Sequence, residues 1–214
     1  MSITKYIFIA LLTLFFFNMP VLAKGDAAAG ASKVAVCAGC HGMDGNSLVP
    51  TFPRLSGLGE KYLYMQLRHV QKGERIIASM TGILDASSDQ DLWDMAAYYN
   101  GKERKLSGAK DITFTGVDDP DDALALGERV YRGGNLRSGV PACTGCHSPS
   151  GSGNGPAGYP ALGGQHAEYL EQQLLAYRNG ERDSGNNARI MQGVAEYLSD
   201  GEIKAVANYI SGLN

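Results

Sequence analysis

The chain of 214 residues contains only four cysteines, and beyond residue 23 it has no apolar run long enough to cross a bilayer. Nor does it show the alternating apolar and polar spacing of a half-buried strand. Together these absences argue against a protein that threads the membrane repeatedly and against a fold built on sheets. Positive charge is not in surplus either: 19 Lys and Arg stand against 22 Asp and Glu. Such a balance gives no support to nucleic-acid binding. Aromatic residues make up 8 % and glycines number 28, a thin apolar supply for packing. Small domains with little to bury need a staple, and a large buried cofactor can serve as one.

The first 23 residues set the expected compartment. Lys5 precedes a twelve-residue apolar run, Tyr6 to Phe17, and the segment closes on Val21-Leu22-Ala23, whose small residues suit a signal peptidase. Residues 1–23 therefore read as a bacterial-style secretory signal, with Lys24 as the first mature residue and the periplasm as destination. An uncleaved membrane anchor is the alternative, although Asn18 and Pro20 interrupt a run already short for a span. Removing 23 of 214 residues leaves 191 and a net charge near −4, since Lys5 goes with the signal. The mature chain is expected to be soluble rather than membrane-spanning.

An internal repeat covers nearly all of that mature chain. Phe52-Pro53-Arg54-Leu55-Ser56-Gly57 matches Tyr159-Pro160-Ala161-Leu162-Gly163-Gly164. At the same offset of 107, Tyr62, Gln66 and Gly73-Glu74-Arg75 match Tyr169, Gln173 and Gly180-Glu181-Arg182. Later matches, Ser88-Asp89 to Ser199-Asp200 and Tyr98 to Tyr209, lie at an offset of 111. The drift predicts two copies that differ by short loop insertions, one of which places Asp183 to Ile190 where the first copy has Ile76 to Ser79. The expected division is 24–101, a linker over 102–122, and 123–214.

Both copies read as helical. Leu63, Leu67 and Val70 fall at helical spacing, as do Leu170, Leu174 and Tyr177, and again Ile203, Val206, Ala207 and Ile210. Ser88-x-x-Asp91 and Ser199-x-x-Glu202 predict capping boxes that start the last helix of each copy. Further helices are expected around Ala27 to Val36 and Ala123 to Tyr131. The run Asp118-Asp119-Pro120-Asp121-Asp122 has the composition of a solvated connector that helps to begin the next helix.

All four cysteines fall in two copies of one pattern, Cys37-Ala38-Gly39-Cys40-His41 and Cys143-Thr144-Gly145-Cys146-His147. A zinc ribbon needs two close knuckles, but here the pairs are one per copy and about a hundred residues apart. A dithiol redox centre belongs to a strand-helix context that is missing. C-x-x-C-H is the attachment signature of c-type haem, which two copies in an exported helical chain select. Thiols one helical turn apart can each reach a vinyl group on one porphyrin edge, and the adjacent histidine then faces the iron. His41 and His147 are thus the expected proximal ligands of two covalently bound haem c groups. For the sixth position the repeat points to Met80 and Met191, the one methionine pair found in both copies, whereas Met43, Met65 and Met95 have no counterpart. His69 and His166 have none either, and read as surface or packing residues.

The order of these motifs, a signal followed by two C-x-x-C-H units with F-P-R-L-S-G and Y-P-A-L-G-G, then M-T-G-I-L-D and I-M-Q-G-V, resembles the cytochrome c4 family. The resemblance implies an all-α protein of two tandem class I cytochrome c domains, each with His/Met iron, packed about a pseudo-twofold axis with haem propionate edges facing. It also implies that the carbonyls of Pro53 and Pro160 accept the second ring N–H of His41 and His147. The function implied is single-electron transfer in the periplasmic respiratory chain, from a membrane quinol-oxidising complex towards a terminal haem-copper oxidase. Two alternatives remain: a dihaem enzyme of peroxidase or thiosulfate-oxidising type with one reactive iron, and a haem subunit permanently docked in a respiratory complex.

The doubled motif makes a direct prediction about cofactor load. Acid-acetone extraction leaves the colour with the polypeptide, and intact mass exceeds that of the mature chain by two haems. Extractable haem, or zinc in its place, contradicts the reading.

Overall fold

The computed structural model describes residues 25–214; the expected signal segment lies outside them. Nine α-helices and one 3-10 turn make up the regular structure of the described residues, with no strand beyond three isolated bridges. In the first half these are α1 (Ala27–Ala31), α2 (Ala35–His41), α3 (Glu60–Gln71), the 3-10 turn Ala78–Met80, and α4 (Asp89–Asn100). The second half comprises α5 (Pro120–Gly133), α6 (Thr144–His147), α7 (Ala167–Arg178), α8 (Asn186–Ala195) and α9 (Asp200–Gly212).

Local chemistry accounts for the helix starts. Ser88 and Ser199 each accept from the N–H three residues on, while Asp91 and Glu202 bond back to the capping serine, so both predicted capping boxes form. Asp119 caps α5, Pro120 takes its first turn, and Asp121 and Asp122 place negative charge at its N-terminus. The helix thus begins inside the stretch that reads as linker. At the N-terminus, the expected helix from Ala27 to Val36 is instead two pieces. Asp26 caps α1, the chain turns at residues 32–34, and Val34, fully buried, opens α2.

Each half has its own core. Val34, Leu58, Leu63, Leu84, Leu92, Met95, Ala96 and Tyr99 form one; Val130, Tyr131, Val140, Leu170, Leu198, Ile203, Val206, Ile210 and Leu213 are in the other. In both, the first helix packs on the last across a glycine, because no side chain fits between the backbones. A Cβ on Gly30 would lie 2.1 Å from the Asp94 carbonyl oxygen, and one on Gly127 would lie 2.2 Å from that of Ala205.

The connector is bonded to both halves. Lys105 donates its N–H to Asn46 Oδ1 (2.9 Å), Ser107 to the Gly164 carbonyl (3.1 Å) and Gly108 to the Ser211 carbonyl (2.9 Å). Lys110 and Asn208 exchange two bonds of 2.9 Å. Residues 105–110 therefore stitch the halves together.

The close approach at Gly127 sets a stability test. Gly127→Ala forces α5 away from α9 and is expected to cost about 1–3 kcal/mol, read as an earlier urea midpoint for the second half.

Candidate haem-binding centre

Both C-x-x-C-H motifs sit on short helices that end at the histidine, followed by a residue in the left-handed region: Gly42 at φ 78° after α2, and Ser148 at φ 68° after α6. Serine rarely adopts this conformation. Its hydroxyl offsets part of the cost by accepting from the Ser152 N–H at 2.9 Å.

His41 and His147 are buried, and each brings Nδ1 within 2.9 Å of a carbonyl oxygen, that of Pro53 and of Pro160 respectively. The ring N–H donates and the carbonyl accepts. That sets the tautomer and leaves the Nε2 lone pair for a metal. Burial holds both imidazoles below their ordinary value against the opposing pull of the prolyl carbonyl, so both rings are neutral at pH 7. The rings of Phe52 and Tyr159 flank them, with centroids 6.2 Å away in each case.

No disulfide joins any of the four cysteines. Before attachment, burial raises the Cys37 thiol and pushes that of Cys143 up to about 11. Among the described residues no group of three or more His, Cys, Asp or Glu comes together.

All four cysteines, His41, His147, Met80, Met191, Pro53 and Pro160 line one continuous cavity of about 1000 Å³. Met80 ends the 3-10 turn, with its N–H on the Ile77 carbonyl at 2.8 Å, whereas Met191 lies within α8. The extra residues of the second copy thus become a helix where the first has a single tight turn. Of the unpaired methionines, Met65 and Met95 also line the cavity and Met43 is exposed.

Leu63, Leu67, Val70, Leu170, Leu174 and Val206 give the cavity apolar walls, and its wall between the halves is polar. Arg75 donates to Gln66 Oε1 (2.7 Å) of its own half and to Gln173 Oε1 (2.9 Å) and Tyr169 Oη (3.3 Å) of the other. Arg182 mirrors it, donating to Gln173 Oε1 (2.8 Å), Gln66 Oε1 (3.0 Å) and Tyr62 Oη (2.9 Å). Neither guanidinium is in an ion pair among the described residues. Sequence reading passed over this cluster, although the repeat keeps its Tyr, Gln and Arg at a constant offset of 107.

Each half therefore presents two thiols, an imidazole Nε2 and a thioether to an apolar cavity, a donor set that fits covalently held haem. The family model described as Cytochrome c matches residues 125–214. Cytochrome c4 of Pseudomonas aeruginosa is 48 % identical over 192 residues, covering 90 % of each chain. The chain belongs to the cytochrome c4 family. The crystal structure of reduced recombinant cytochrome c4 from Pseudomonas stutzeri superposes with a TM-score of 0.81 at 46 % identity, covering 89 % of this chain and 100 % of that one. A protein of Thiomonas intermedia named as thiosulfate dehydrogenase electron acceptor is 37 % identical, covering 86 % of this chain and 81 % of its own. The chain is accordingly an all-α protein of two class I cytochrome c folds, carries two covalently bound haem c groups, and transfers electrons between redox partner proteins.

The two histidines read as surface or packing residues have definite places. His69 Nδ1 pairs with Glu74 at 2.5 Å on the edge of the first half. His166 is buried between the halves, where its Nε2–H donates to the Ser47 carbonyl (2.9 Å) and its Nδ1 accepts from the Ser107 hydroxyl (2.9 Å). Ser107 in turn accepts from Arg54 Nε at 3.2 Å. Neutral imidazole satisfies all of these bonds, while imidazolium would turn Nδ1 into a donor facing the Ser107 oxygen, which already accepts from Arg54. Burial lowers its pKa first, with Arg54 and Lys110 adding to that and the Ser47 carbonyl and Glu168 opposing.

A depressed folded-state value fixes the sign of a pH effect. His166 contributes its full stability above the ordinary value of 6.5, and that contribution is lost as pH falls through the lower folded value. Urea midpoints of the wild type are expected to fall over this window more than those of His166→Gln, whose amide can still donate to Ser47. Parallel profiles would rule the effect out.

Proposed function

We propose that the chain is a dihaem electron carrier with two closed iron sites, and that it performs no bond chemistry on a substrate. The observation that carries this is the presence of His41, Met80, His147 and Met191 in one cavity, one His/Met pair per half. In this reading Cys37 and Cys40 tether the first haem and Cys143 and Cys146 the second. His41 and Met80, and His147 and Met191, are the axial ligands, and Pro53 and Pro160 orient the histidines. The haem iron supplies the one-electron couple. The protein's part is to lend it a soft thioether, a neutral imidazole held in one orientation and walls that keep water out, which together favour the reduced state. The domains would run over residues 24–101 and 123–214, joined by 102–122.

The compartment is proposed to be the periplasm, reached through cleavage of the segment 1–23. Among the described residues no helix is long and apolar enough to cross a membrane. As donor and acceptor we propose a quinol-oxidising membrane complex and a terminal haem-copper oxidase. The Thiomonas relative's name adds a second reading of the donor, a thiosulfate-oxidising enzyme that reduces this chain.

Ligand replacement separates carrier from enzyme. Met80→Ala is expected to lower the potential of the first haem and let its ferrous iron bind CO, with the second haem unchanged; Met191→Ala does the converse. Met65→Leu and Met95→Leu should open neither site and cost less than about 1.5 kcal/mol. Ready CO binding by the wild type, or a first haem that stays closed in Met80→Ala, defeats the model for that domain.

A further inference from the structure

The amide that carries the Pro53 carbonyl is the same amide that carries the Arg54 N–H. Its oxygen accepts from His41 Nδ1 at 2.9 Å, and its N–H donates to Gln165 Oε1 of the other half at 2.8 Å. The chain of bonds His41 Nδ1–H, Pro53 carbonyl, Arg54 N–H, Gln165 Oε1 thus crosses from one half to the other through a single peptide unit. Gln165 is 3 % exposed and is held from both sides: its Nε2 donates to the Arg54 carbonyl (2.9 Å) and its Oε1 also accepts from the His166 N–H (3.1 Å).

The second half repeats the arrangement with a different end. His147 Nδ1 donates to the Pro160 carbonyl at 2.9 Å, and the N–H of that peptide, on Ala161, donates at 3.2 Å to the backbone carbonyl of Leu58 in the first half. Leu58 and Gln165 are the same repeat position, 107 residues apart. Each half therefore supplies the last acceptor for the other half's proximal histidine. One acceptor is a side-chain amide that is also anchored elsewhere, and the other is a longer bond to backbone.

Hydrogen bonds in series polarise one another. An acceptor on the Arg54 N–H makes the Pro53 oxygen a better acceptor, which draws the His41 Nδ1 proton away from the ring and makes Nε2 a stronger donor to iron. A stronger donor stabilises the ferric state. We propose that Gln165 is a positioning residue that tunes the first haem from the opposite domain, lowering its potential relative to what His41 and Pro53 alone would set. This rests on the reading of His41 as axial ligand. Docking of the halves and the properties of both irons are thereby linked, and more strongly for the first.

The test uses the full-length holoprotein with both haems. Gln165→Met keeps the side chain's length and removes the acceptor. It is expected to raise the midpoint potential of the first haem, leave that of the second in place, and shift the hyperfine-displaced His41 ring N–H resonance, while the methionine-to-ferric-iron charge-transfer band stays intact. Gln165→Glu retains an acceptor for the Arg54 N–H and should leave the first potential at or below the wild-type value. His166→Leu removes one bond to the first half, at Ser47, and one to the connector, at Ser107, without touching the Arg54 peptide, so it loosens the interface and should spare both potentials. The proposal is overturned if His166→Leu raises the first potential as much as Gln165→Met does, because loosening alone would then explain the shift. It is overturned equally by a rise in Gln165→Glu. Unshifted potentials in Gln165→Met, in a protein whose Met80→Ala variant opens the first haem, overturn the relay and leave the ligand assignment standing.

Discussion

Each half of the molecule is organised around one bond, from the Nδ1–H of a buried histidine to a prolyl carbonyl 2.9 Å away. The bond decides which nitrogen is free, and the short helix before it decides where that nitrogen points. Around this pair the rest of the half is a shell: a first helix locked on a last helix across a glycine, a middle helix that walls the cavity, and a further element, a 3-10 turn in the first half and α8 in the second, that returns a methionine to it. The core cluster of each half is small, eight buried residues in the first and ten in the second. A cavity of about 1000 Å³ shared between two such cores is a large void for the apolar surface available. Filling it with a covalently held group is the way such a chain completes its packing.

Much of this was legible in the amino-acid order because the features are local or repeated. Ser88-x-x-Asp91 and Ser199-x-x-Glu202 specify their helix starts within four residues, and both form. The cysteine pattern needs five residues, and the methionine pair emerges from comparing one half with the other. The break between α1 and α2 escaped notice because the alanines among residues 27–36 outweigh Gly30 and Ser32 in local propensity, and Val34, where the chain turns, is buried by tertiary packing. Gln165 escaped for the opposite reason. Its partner is 111 residues away and is a backbone amide, so no residue type at the other end announces the contact.

Polar contacts do much of the joining of the halves. Arg75 and Arg182 share two glutamine oxygens, so each glutamine accepts from both cations. Arg182 is buried and Arg75 half-buried, and cations so placed without a carboxylate partner are costly in protein alone. Their position in the cavity wall is tolerable where an anionic group occupies the neighbouring space, and it is where two symmetric halves would place a shared charge.

The stitched connector bears on how the molecule could be taken apart. Because residues 105–110 are bonded to Asn46 on one side and to Gly164, Asn208 and Ser211 on the other, a single cut does not yield two equivalent fragments. Cleavage near residue 102 leaves the strap on the second fragment and takes from Asn46 Oδ1 the Lys105 N–H that donates to it. Cleavage near residue 116 leaves a tail on the first fragment that can still reach Gly164, Asn208 and Ser211. The two nicked species would reassociate with different affinities, so the strap gives the molecule a direction that its symmetric halves do not have.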